Sequence, residues 1–310
     1  MTLPWTILPM LGLLIGLTAS SAGAADFDPS QVFTQIQRIE WEVLLLYAHG
    51  NRKPEMIAPV PVKAELRPRH VWQKTYLILI KLNILRAKHG LPRILPNGLE
   101  PVLKLDPALV LEQTQRILTE LTILKGRLGI TRSIEEPPAA RGKRPIDNYN
   151  QLHAISLHLD ALIGEDIDPS HVFGESMRLF EDASTLLDRL HLPDTAFPPA
   201  RLADATSHDA QAAAMAVLGE IQRIQADLGL QRTDFSPFLA IPNPRPADIF
   251  NLVGLALADL QTVKAALGVE QITPPHRMTR GKTQAHVQQL LGWVARKLSL
   301  IQTLRQGGAP

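Results

Sequence analysis

Three arginines each stand directly before a proline, and an aromatic ring follows four residues after each proline: Arg67-Pro68 with Trp72, Arg144-Pro145 with Tyr149, and Arg245-Pro246 with Phe250. A guanidinium beside a flat apolar wall can hold a carboxylate or phosphate, because its donors form a planar fork that matches two anion oxygens. Gathered at one end of a helical bundle, these six residues make a ligand-binding pocket for a small anion. The plainer reading is that the rings close the bundle ends and pin the linkers. Phe33 and Phe173 hold the same place after Pro29 and Pro169, with Asp28 and Asp168 where the arginines stand elsewhere.

Other reactive side chains are less promising. His153 and His158 are five positions apart, which on one helix turns them about 140° away from each other, too far to share an ion. His171 and Glu175, at i and i+4 near Asp166 and Asp168, have the spacing of two metal ligands, but the expectation is a surface pair in the first turn after a helix cap. The Glu-x-x-His pairs of di-iron bundles are absent from the sequence. Met177 and Met215 are the candidates for a haem ligand in a bundle core, and gap filling is the ordinary role of such methionines. The chain has no cysteine, so disulfides, thiolate sites and covalent haem attachment are excluded. Nucleophile-elbow, zincin, phosphate-loop and dinucleotide motifs are likewise missing. No metal, cofactor or catalytic residue is therefore expected, and the chain reads as a non-enzyme.

Lys74, Lys81 and Lys88, seven apart, form one basic stripe opposite an apolar run at 76–80. The expectation is a solvated lysine face, with docking of an acidic partner as the alternative.

The elements that must position these groups are helices. Helix starts are expected at Pro29, Pro68, Pro107, Pro145 and Pro169, near Ser207, at Pro246 and near Lys282. Proline suits a first helical position, where its missing N–H has no intrahelical partner anyway. Asp28, Asp106 and Asp168 precede three of these prolines and can cap free N–H groups. Val110, Thr114, Ile117, Leu121, Leu124 and Leu128 form one stripe, and adding 139 to each number gives Ile249, Val253, Ala256, Leu260, Val263 and Leu267. The segment Asp-Pro-Ser-x-Val-Phe occurs at 28–33 and again at 168–173. The expected fold is all-α: two tandem four-helix bundle units of about 139 residues related by internal duplication, at 25–166 and 167–310. Neighbouring helices are taken as antiparallel by default, although linkers of about 15 residues are long enough to permit either direction.

Residues 1–24 carry no charge, run through an apolar stretch and end in Ala22-Gly23-Ala24, the pattern of a cleaved signal peptide. The mature chain is expected in the periplasm, without a membrane span. Its two halves carry formal charges of +3 (19 basic, 16 acidic) and −1 (13 basic, 14 acidic), too little for nucleic acid. The functional expectation is an exported, non-enzymatic adaptor or scaffold with a protein partner. The alternative is a sensor or binding protein for a small anionic ligand at the aromatic and arginine positions.

Overall fold

The computed structural model describes residues 28–50, 64–164, 167–275 and 279–301, and within them the protein is all-α. The signal segment and the turn at 165–166, Asp166 included, lie outside these residues. Eight α-helices follow in order: α1 Pro29–His49, α2 Pro68–Lys88, α3 Pro107–Leu128, α4 Pro145–Ile163, α5 Pro169–Arg189, α6 Ser207–Asp227, α7 Pro246–Ala266 and α8 Gln284–Ser299. A 3-10 turn, Ser236–Ala240, precedes α7. Six of the eight helices begin on the expected proline, and their caps explain why. Asp28 and Asp106 accept from the backbone N–H two residues on, and Asp168 accepts from that of His171.

Packing falls into two sets with one pattern. Helices α1 and α2 each lie against α3 and α4, and α5 and α6 each lie against α7 and α8. Within the first set the four starting prolines, Pro29, Pro68, Pro107 and Pro145, border one common cavity of about 10 Å³. Near that end Asn148 donates to the Pro29 carbonyl at 3.1 Å. Toward the other end Tyr47 donates to the His158 carbonyl at 2.6 Å, and Arg86 meets Glu120 at 2.6 Å. All four helices therefore point the same way, which corrects the antiparallel default. The linkers make this affordable: 89–106 can extend to about 60 Å, while a 21-residue helix spans about 32 Å.

Several contacts recur at positions 139 or 140 residues apart. Lys125 pairs with Glu42 at 2.5 Å between α3 and α1, and Lys264 pairs with Asp182 at 2.7 Å between α7 and α5. Ser30 Oγ accepts the Lys143 N–H at 3.1 Å, and Ser170 Oγ accepts that of Lys282 at 3.2 Å. The Lys143 ammonium lies 4.2 Å from the centre of the Phe33 ring, and that of Lys282 lies 4.5 Å from that of Phe173.

The two sets meet along α2 and α7. Both helices are covered on nearly every side: α7 is correspondingly apolar all round rather than striped, whereas α2 buries Arg69, His70, Gln73, Lys74 and Lys81 among its apolar residues. Helix α7 is long and apolar enough to cross a membrane, but it is packed on α5, α6 and α2, as a core helix is. Among the described residues, an antiparallel bridge of Leu99 with Thr273 adds a second link through the linkers. It needs Gly98, since a Cβ there would lie 2.5 Å from Ile272 Cγ2.

Candidate functional site

Packing of α2 on α7 buries charge, and that charge organises the ground beneath a cleft. Asp259 interrupts the apolar run of α7 and is fully buried. Its Oδ1 receives His70 Nε2 at 2.8 Å and Arg69 Nε at 3.1 Å, both from α2. His70 Nδ1 accepts the Arg67 N–H at 2.9 Å, capping α2 and fixing the neutral tautomer with its proton on Nε2. Burial lowers the His70 pKa below the ordinary histidine value, against the pull of Asp259. Burial alone would raise the Asp259 carboxyl, but His70, Arg69 and Arg67 together hold it below the usual carboxylate range.

Above this cluster lies a cleft of about 530 Å³, within the range of small-molecule sites. It is formed where the start of α2 and the linker before α3 face the linker after α6. Arg67, Arg69 and Lys104 line it with Glu65, Gln231 and Thr262. Arg67 reaches across to the carbonyls of Gln231 at 2.9 Å and Arg232 at 3.1 Å, and Arg69 Nη1 donates to the Leu103 carbonyl at 3.2 Å. Both guanidinium pKa values are lowered, chiefly by burial and against the pull of Asp259, yet arginine keeps its charge. Three cationic side chains thus face two carboxylates, Asp259 and Glu65, leaving the cleft positive.

Of the six sequence candidates, only Arg67 lines this cleft. Arg144 projects outward, its side chain 76% exposed, with Asp147 at 3.7 Å, and Arg245 lies 3.5 Å from Asp248. The three rings are buried, Tyr149 and Phe250 beside one small cavity and Trp72 apart from them. Trp72 stacks on Tyr76, centroids 6.4 Å apart, while Tyr149 meets the edge of Phe238 at 6.1 Å. Phe250 and Tyr149 border a cavity of about 10 Å³ with Lys74, room for a single water. The six do not converge into one pocket.

The lysine stripe is corrected more sharply. Lys74 is 2% exposed and Lys81 1%, because α2 lies inside the molecule rather than at its surface. Lys74 donates to Asn251 Oδ1 at 2.7 Å, and its Nζ lies 3.3 Å from His153 Nδ1 and 5.4 Å from the Tyr149 ring centre. Burial, then the neighbouring Lys81, holds its ammonium well below the usual lysine value. Lys81 pairs with Asp160 and Lys88 with the Ile163 carbonyl.

His171 and Glu175 turn to different partners, the first to Asp168 at 2.7 Å and the second to Arg178 at 2.6 Å and Gln73 at 2.9 Å. No trio of His, Asp or Glu able to hold a metal occurs among the described residues. Arg69, His70 and Asp259 escaped the sequence reading. The one signal for them was an acid in the middle of the most apolar helix, which cannot stay buried without a partner. No protein-family model, curated protein or solved structure matches the chain.

Proposed function

We propose that the chain is an exported, non-enzymatic binding protein of the periplasm, built of two tandem four-helix units, 25–166 and 167–310, that arose by duplication. The Glu42–Lys125 and Asp182–Lys264 pairs and the matched Phe33 and Phe173 contacts support a common origin, since equivalent positions carry the same chemistry. We further propose that its ligand is a small organic or phosphate anion. The observation carrying this reading is the 530 Å³ cleft with Arg67, Arg69 and Lys104 on its walls. Two of these cations are already held by backbone carbonyls, so an anion would meet a site whose geometry is set in advance.

A protein partner is the second reading. It is favoured by apolar side chains standing out from the linkers, Leu95 at 79% exposure and Phe197 at 77%, where packing gives no reason for them.

Native mass spectrometry of the protein purified from its own periplasm tests both readings. A retained anion of up to a few hundred daltons supports the cleft, whereas a bound protein subunit supports the adaptor. A mass that still includes residues 1–24 contradicts export by a cleaved signal.

A further inference from the structure

Leu103 stands on the wall of the 530 Å³ cleft and is 55% exposed, although Arg69 fixes its backbone by donating to the Leu103 carbonyl at 3.2 Å. Leu66, Pro68, Leu105 and Leu230 continue the apolar surface beside it. Packing within the chain gives no reason for a leucine held in water at this place. A ligand that is apolar over part of its length would cover it.

The polar side of the cleft is nearly neutral already. Arg67, Arg69 and Lys104 face Asp259 and Glu65, so three positive charges meet two negative ones and a single negative charge is left to be supplied. Buried Arg69 gives Nε to Asp259 and Nη1 to Leu103, and Arg67 gives its two Nη groups to the Gln231 and Arg232 carbonyls. Arg67 Nε and Arg69 Nη2 have no acceptor among the described residues, and they are the donors left for a carboxylate. The helical pattern does not call for this combination. The places 139 residues on from Arg67, Arg69, Leu103 and Lys104 hold Thr206, His208, Pro242 and Asn243.

We infer that the ligand of the cleft is an organic monocarboxylate with an apolar tail or ring, rather than a phosphate or a polycarboxylate. The inference rests on the anion cleft proposed above and narrows it. One carboxylate balances the surplus charge. A second one, at the far end of the ligand, would lie against leucines with no cation to meet it. Citrate and pyrophosphate reach the cations but leave the leucines wet, so they bind more weakly. Each methylene laid on the apolar wall adds up to about fourfold in affinity.

Calorimetric titration of the whole purified chain with butyrate, octanoate and the eight-carbon dicarboxylate suberate tests this, beside citrate and pyrophosphate. Octanoate is expected to bind at least tenfold more tightly than butyrate and than suberate. Arg67→Gln should weaken octanoate at least tenfold. Leu103→Asn, a change at an exposed place, should weaken octanoate at least threefold and butyrate hardly at all. Should Arg67→Gln fail to fold, Lys104→Gln, also exposed, must weaken octanoate in its place. Equal binding of butyrate and octanoate, of suberate and octanoate, or of octanoate by the Leu103→Asn protein overturns the inference. Binding of citrate or pyrophosphate that Arg67→Gln abolishes, without saturation by octanoate at about 20 mM, overturns it too but leaves the anion cleft standing. Binding of none of these anions overturns both.

Discussion

His70 Nε2 lies 2.8 Å from Asp259 Oδ1, and this contact ties α2 to α7 across the line where the two sets of helices meet. Arg69 shares the same oxygen at 3.1 Å, so one carboxylate holds two α2 side chains inside the protein. Removing that carboxylate leaves a buried guanidinium unpaired. Asp259→Ala is expected to cost about 3–5 kcal/mol in urea unfolding, whereas Asp259→Asn, which keeps an acceptor, costs less. Equal and small effects of the two changes would mean that the cluster contributes little to holding α2 on α7.

Stability should fall in acid. Burial lowers the pKa of His70 and of His158, and it lowers that of His153 to about 3 with help from Lys74, Lys81 and Arg245. Near pH 6.5 these histidines take up protons in the unfolded chain but stay neutral in the folded one, so protons favour unfolding. Their contribution is complete above about pH 6.5 and is lost progressively as pH drops toward 3. Melting temperatures measured from pH 7.5 down to 4.5 should decrease steadily; a flat or rising series contradicts neutral burial.

The units should be halves of one body rather than free domains. Arg69, His70, Gln73 and Lys74 of α2 find partners on α5 and α7, and would be uncovered in an isolated first half. Fragments 25–166 and 167–310 are expected to melt well below the whole chain and to form a 1:1 complex when mixed. Sedimentation and circular dichroism check this. Two fragments as stable as the whole, with no association, would refute it.

Helix starts were legible because proline and aspartate act locally: Pro29, Pro68, Pro107, Pro145, Pro169 and Pro246 all begin helices. The apolar stripes of α3 and α7 were legible for the same reason, since they depend on spacing alone, and Ile117, Leu121 and Leu124 and Ala256, Leu260 and Val263 are all buried. Helix direction was not, because linkers long enough to run the full length of a helix remove the usual geometric constraint. Burial of Lys74 and Lys81 was hidden too. A lysine every seventh residue signals a solvated face when the helix lies at the surface, but here α4 covers Lys81, and α4 and α7 together cover Lys74. Arg67 was found by pattern, whereas Arg69 and Lys104 join it only through the fold.

Leu121 and Leu260 occupy equivalent places and are both fully buried. Leu121→Asp and Leu260→Asp should each destabilise by several kcal/mol, to similar extents, in chemical denaturation. A mild effect at one position alone would argue against equivalent packing of the two stripes.

The anion cleft is tested most directly by calorimetric titration of the whole chain with citrate and with pyrophosphate, beside Arg67→Gln and Arg144→Gln. Saturable binding of at least one probe is expected, weakening as salt rises, reduced at least tenfold by Arg67→Gln and untouched by Arg144→Gln, whose side chain is 76% exposed away from the cleft. Absence of saturable binding to both anions, or equal binding by the Arg67→Gln protein, would contradict the assignment of the cleft.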